Sequence, residues 1–165
     1  MNRPRKDLML EAFVGEARAH FRLLFYAEKA DEEGYPQIAR LFRAIAEAER
    51  VHARNHAALL ESVGSTEENL QAAFQSESFV NQVAYPNLLK EAWALEDKPA
   101  IWFLTAARNA EERHAKLYKM ALQDMVADRM TVYAVCGNCG WVEEGGPPPK
   151  CPNCGRDAET FREVF

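Results

Sequence analysis

Several residue types are missing from large parts of this sequence. No cysteine occurs before residue 136, and no histidine after residue 114. No apolar run approaches the roughly 20 residues that a membrane-spanning helix needs. There is no run of basic residues and the formal net charge is −5, which argues against nucleic acid as the main partner. Arg3, Arg5 and Lys6 are followed by Asp7, Glu11 and Glu16 rather than by an apolar segment. No signal peptide is therefore expected, and the cytoplasm is the expected compartment. What is present has the balance of a globular protein, with 48% hydrophobic and 27% charged residues in a chain of 165. That length has room for one domain with a real core and a small appendage.

The first 130 residues read as four helices. Over 7–33, Leu8, Phe13, Ala17, Phe21, Leu24, Phe25 and Ala27 recur at helical spacing, and Gly34 with Pro36 breaks the pattern. A second helix is predicted over 36–62, with Ile38, Leu41, Phe42, Ile45, Ala48 and Val51 facing inward. Gly64 is expected to end it, and Ser65 or Thr66 to cap the next, with Glu67 and Glu68 in the first turn. A third helix is predicted over 66–97 with a kink at Pro86, and a fourth over 99–128. Trp93, Trp102 and Phe103 are read as core residues.

Two helices carry the same short pattern, Glu49-Arg-Val-His52 and Glu111-Glu-Arg-His114. Three residues is about one turn, so each pair projects a carboxylate and an imidazole from one face. The other two helices offer Glu16 and Glu77. Glu16 lies about 27 Å before the first interhelical turn and Glu49 about 22 Å after it; for Glu77 and Glu111 the figures are about 30 and 20 Å. Each hairpin can thus present two carboxylates and one imidazole near one depth. Ferritin-like di-iron bundles use this donor set. Iron and manganese accept carboxylate and imidazole together, and two divalent ions cancel four carboxylate charges. Glu49 and Glu111 would bridge two ions, Glu16 and Glu77 would be terminal ligands, and His52 and His114 would each hold one ion.

A single Glu–His pair would read as a surface contact. Two pairs, with level glutamates on both remaining helices, read as metal ligands. His20 and His56 lie one turn beyond Glu16 and His52 and read as outer or surface residues. Tyr85, two turns beyond Glu77, is a candidate hydrogen-bond partner for a ligand, or a core residue.

Residues 131–165 differ in composition, with glycine, proline and short β-type runs. Cys136-Gly-Asn-Cys139 and Cys151-Pro-Asn-Cys154 form two knuckles that can set four thiolates around one zinc or iron ion. So small a unit draws much of its folding energy from the ion. The expected division is a helical domain over 1–130 and a four-cysteine domain over 131–165.

Taken together, these motifs resemble the rubrerythrin family along nearly the whole chain. VGEARAHF resembles its first-helix motif, AEAERVHARNH and NAEERHAKLY its two Glu-x-x-His motifs, and ESFVNQVAYP its third-helix segment; CGNCGW and CPNCG resemble its rubredoxin-like iron site. The resemblance implies an all-α ferritin-like four-helix bundle followed by a small rubredoxin-like domain. It implies a di-iron peroxidase that reduces hydrogen peroxide to water, with a third iron in the four-cysteine site. Electrons would come from rubredoxin or an NAD(P)H-linked reductase. One position departs from the family. The third helix usually carries Glu-x-x-Glu before Tyr-Pro, and here it reads Glu77-Ser-Phe-Val80. The remaining set of four Glu and two His is closer to bacterioferritin, which leaves a ferroxidase or oxidase, or an iron-binding protein, as the alternative.

In the family's bundle the second and third helices run parallel, which needs a return of some 35 Å or more. The break near 63–66 spans about 15 Å at full stretch. The bundle is then either up-down-up-down, or the second hairpin swaps onto the first hairpin of a partner chain. The swapped homodimer is the expected arrangement.

Overall fold

The computed structural model describes residues 4–125 and 131–164. The chain divides after Gly64 into two compact units.

The first unit is a helical hairpin of α1 (Arg5–Glu32) and α2 (Pro36–Leu60). Gly34, at φ 81°, supplies the left-handed residue that ends α1, and the Tyr35 amide donates to the Ala30 carbonyl at 2.8 Å. Pro36 opens α2, where its missing N–H costs nothing. The seam between the helices is made of alanines. Ala39, Ala46 and Ala53 recur at two-turn intervals along α2 and are buried, as are Ala27 and Ala30 on α1. Side chains this small let two backbones approach closely. His20 Nδ1–H donates to the Ala46 carbonyl at 2.8 Å, and Arg43 pairs with Asp31.

Phe42 packs against Ala27, Ala30 and Ala39 as expected, but most of the large residues expected to face inward do not line this seam. Phe21, Phe25 and Leu41 are 60%, 62% and 54% exposed, and Ile38, Ile45 and Val51 are also exposed. A two-helix hairpin has only one seam, and alanines fill it. The bulky side chains occupy a face that the hairpin leaves open. The end of α2 also differs from expectation. The left-handed residue there is Glu61, at φ 52°, rather than Gly64.

The second unit begins at the Ser65 cap. The Glu68 amide donates to Ser65 Oγ at 3.3 Å and the Ser65 amide to Glu68 Oε2 at 2.7 Å, a reciprocal capping box. The predicted third helix is interrupted. It consists of α3 (Thr66–Phe79), a π-turn over Val80–Ala84, and α4 (Tyr85–Ala94). Pro86 has no N–H to offer the carbonyl one turn back, and the helix widens just before it. The Tyr85 amide reaches back five residues to the Val80 carbonyl. Across from the π-turn, Asn81 and Arg108 hold one another's backbone. Asn81 Nδ2 donates to the Arg108 carbonyl at 2.7 Å, and Arg108 Nε to the Asn81 carbonyl at 3.1 Å.

Asp97 caps α5 (Lys98–Gln123) by accepting from the Ala100 amide at 3.0 Å. The predicted end of this helix at 128 lies outside the described residues. Trp93 and Phe103, expected in a core, are 65% and 60% exposed within this unit, for the same reason as in the first hairpin.

A three-stranded antiparallel sheet follows, in the order β2 (Val142–Glu144), β1 (Tyr133–Cys136), β3 (Phe161–Val164). Its strands bring the two cysteine knuckles together. No helix among the described residues is long and apolar enough to cross a membrane.

Candidate metal centres

Among the described residues, three groups of side chains bring their donor atoms within 4.8 Å of one another: Glu16, Glu49 and His52; Glu77, Glu111 and His114; and Cys136, Cys139, Cys151 and Cys154. The first lies in the first unit, the other two in the second. These are the donors named from the sequence, and in both triads the Glu and His of the Glu-x-x-His pair share one helical face.

In the first triad, His52 Nδ1 lies 2.9 Å from Glu49 Oε2. His56 Nε2 stands 3.9 Å from Glu16 Oε1, at the edge of the group. His20 is turned to the α2 backbone, away from any donor set. In the second triad, His114 Nδ1 lies 2.8 Å from Glu111 Oε2, while its Nε2–H donates to the Gly140 carbonyl at 2.9 Å. One imidazole therefore touches a carboxylate on α5 with one nitrogen and the backbone beside Cys139 with the other.

The electrostatics of the second triad suit a cation. Burial, followed by the hydrogen bond and charge of Glu111, raises the Glu77 carboxyl from 4.5 to about 7, against a lowering effect of His114. Burial and then the charges of Glu111 and Glu77 raise the Tyr85 phenol, which places that ring in the field of the same two carboxylates. Crowded carboxylates without a cation keep a proton that a divalent ion would displace.

The sign of the pH dependence follows. Between about pH 4.5 and 7 the metal-free folded chain holds a proton on Glu77 that the unfolded chain has lost. This group's contribution to metal-free stability is therefore largest at low pH and is lost as pH rises through that window. Ferrous or manganous ion added at pH 6 is expected to release this proton. Titration calorimetry in buffers of different ionisation enthalpy measures it, and Glu77→Gln should remove about one proton from the count. An unchanged count in that variant would show that the proton sits elsewhere.

The cysteine group fits an ion by geometry. Cys136 and Cys154 sulfurs are 3.7 Å apart, and Cys139 and Cys151 sulfurs 3.6 Å. A tetrahedron with metal–sulfur bonds of about 2.3 Å has edges of about 3.8 Å, whereas a disulfide would need about 2.05 Å. All four cysteines are free. Burial raises the Cys139 and Cys151 thiols. Burial acts on Cys154 as well, but the Arg156 amide and the Asn138 side chain outweigh it and bring that thiol to about 7. Two further thiols held above their ordinary range would release their protons to a metal.

The structure adds contacts that the motifs did not reveal. Arg113, inside Glu111-Glu-Arg-His114, reaches β2, and Asn153, inside the second knuckle, reaches α5. The only hint in the sequence was a polar residue at each of these places.

Two hairpins that each carry two carboxylates and an imidazole, with a four-thiolate pair of knuckles following the second, define a class: proteins whose donor sets fit metal ions of two kinds. A family model described as Rubrerythrin matches residues 7–122. Rubrerythrin-2 of Clostridium acetobutylicum is 33% identical, over 94% of this chain and 94% of its own length. Nigerythrin of Nitratidesulfovibrio vulgaris is 32% identical, over 91% of this chain and 81% of its own. A structure of nigerythrin in its fully reduced, all-ferrous state is similar with a TM-score of 0.60 and 29% identity, over 99% of this chain and 88% of that one. The chain belongs to the rubrerythrin family. Its fold class is accordingly the ferritin-like four-helix bundle followed by a rubredoxin-like four-cysteine site. Membership supports an oxidoreductase of oxidative-stress defence with a di-iron centre.

Proposed function

We propose that the protein is a non-haem di-iron peroxidase, which reduces hydrogen peroxide to water with electrons passed through iron in the four-cysteine site. Glu16, Glu49, His52, Glu77, Glu111 and His114 would hold the di-iron centre. Cys136, Cys139, Cys151 and Cys154 would hold the third iron. The observation that carries the reading is the 2.9 Å hydrogen bond from His114 Nε2 to the carbonyl of Gly140, the residue after Cys139. It would join a ligand of one site to the backbone next to a ligand of the other. A storage protein needs no such link, and a zinc ribbon could not use it.

Bound there, iron would supply the two electrons that, with two protons, turn one peroxide into two waters, and the four-cysteine site would return them one at a time. The four carboxylates balance the charge of two ferrous ions. Glu111 and Gly140 accept or face the two nitrogens of His114 and so fix the ring's orientation. Tyr85, its phenol raised by burial and by Glu111 and Glu77, keeps its proton and can donate it in a hydrogen bond to a ligand carboxylate.

The reading extends to partners and assembly. The donor would be rubredoxin or an NAD(P)H-linked reductase, in the cytoplasm, and the helical and four-cysteine domains would meet near residue 130. The two hairpins would pair across a homodimer by exchange of the second. The connection between Leu60 and Thr66 supports this, since it spans only about 20 Å when fully extended. The open apolar faces of both hairpins also support it.

A ferroxidase or oxidase is the second reading, favoured by Val80, which opens the π-turn where relatives would place a further carboxylate. Anaerobic stopped-flow mixing of the reduced, iron-loaded protein separates the two. Peroxide is expected to oxidise it much faster than dioxygen, with about three iron ions bound per chain. Faster oxidation by dioxygen would replace the first reading with the second.

A further inference from the structure

A polar stripe on α5 takes no part in any of the three donor sets. The Ala106 carbonyl, Asn109 and Arg113 follow one another at three- and four-residue spacing, along one side of the helix. Each meets the four-cysteine domain. Asn153, at the tip of the second knuckle, donates from Nδ2 to the Ala106 carbonyl at 2.7 Å, and its Oδ1 accepts from Asn109 at 3.1 Å. Arg113 Nε donates to the Val142 carbonyl at 3.1 Å, and its Nη2 to Glu143 Oε1 at 2.9 Å. The guanidinium stands 5.8 Å from the centroid of the Trp141 ring. Trp141 Nε1–H in turn donates to Glu143 Oε2 at 3.0 Å, so one carboxylate takes both groups.

Arg113 and Glu143 are only 20% and 26% exposed, so water screens this pair less than it does an open surface pair. Arg113 adjoins His114 on α5, and Val142 is two residues from Gly140. Any slip of β2 along α5 therefore moves the Gly140 carbonyl relative to His114.

We infer that Arg113 is a positioning residue: with Glu143 and Trp141 it latches the four-cysteine domain onto α5 of its own chain, and so holds Gly140 against His114. The kinetic consequence rests on the peroxidase reading; the latch itself rests on geometry alone. The guanidinium fork is suited to this task, because it holds a backbone carbonyl and a carboxylate at once. Lysine would keep the charge and lose the second contact.

The test uses the full chain with iron in both sites, and two readouts. The first is amide hydrogen exchange over 140–144. Arg113→Gln and Glu143→Gln should each raise exchange there by about tenfold, and Arg113→Lys, which keeps the charge but loses the second contact, should keep only part of the protection. The second is reoxidation of the reduced four-cysteine site after peroxide is added. Glu143→Gln leaves the residue beside His114 intact. It should slow this step by about tenfold while the absorption spectra of both metal sites stay unchanged. Arg113→Lys should recover only part of the rate. Exchange and rate both as in the wild type, in Arg113→Gln and Glu143→Gln alike, would overturn the latch. If the wild-type protein shows no peroxide-driven reoxidation, the peroxidase reading falls, and the exchange comparison alone decides the latch.

Discussion

Two inactive variants are expected to make an active protein when mixed. Glu49→Ala should remove a donor carboxylate from the first triad, and Glu111→Ala its counterpart from the second. Each loss leaves the remaining donors short of the charge that two divalent ions need. Neither variant should bind two irons in its helices or turn over peroxide. Suppose instead that each di-iron centre is built from the first hairpin of one chain and the second hairpin of another. A dimer containing one chain of each kind then has one centre with both lesions and one with none. Random pairing makes half of the dimers mixed, so co-refolded protein should recover about a quarter of wild-type activity. Native mass spectrometry of the two chains, given distinct tags, verifies that mixed dimers formed. Mixed dimers without activity would show that both triads of a centre come from the same chain.

The second large effect separates oxidation from recycling. Cys151 is 3% exposed and its sulfur lies 3.6 Å from that of Cys139, so Cys151→Ser removes one corner of the four-sulfur site. The helix-borne triads are untouched. Reduced protein carrying this change should still be oxidised once by a stoichiometric amount of peroxide. Steady-state turnover with an external reductant should fall by more than about a hundredfold, beyond the usual loss from an outer-sphere change at a metal site. Turnover near the wild-type rate would mean that reductant reaches the di-iron centre by another route, and that the four cysteines serve only to fold the domain.

The local signals in the sequence were read well where one residue decides the outcome. Gly34 and Pro36 mark the first turn, Ser65 with Glu68 caps α3, and both Glu-x-x-His pairs fall on one helical face as their spacing requires. The four cysteines converge, as two knuckles that hold one ion require. What escaped was set by tertiary context. The π-turn depends on Pro86 together with the Asn81–Arg108 exchange, and the partner is 27 residues away. Glu61 adopts a left-handed conformation although glycine lies nearby, because the helix stops before Gly64 is reached. Periodicity placed Phe21 and Leu41 on an apolar face but could not say which surface covers it; alanines claimed the seam. Arg113 sat inside the most conspicuous motif in the chain, and nothing in its spacing distinguished a latch from a solvated charge.

Each hairpin carries half of the donors, two carboxylates and one imidazole. With the cross-chain pairing proposed above, a single polypeptide carries both triads but cannot bring them to one place to hold iron firmly in its helices. A newly made or orphaned subunit would remain without redox-active metal until it met a second. Assembly would then act as a safety interlock, keeping stray radical chemistry away from unfinished protein.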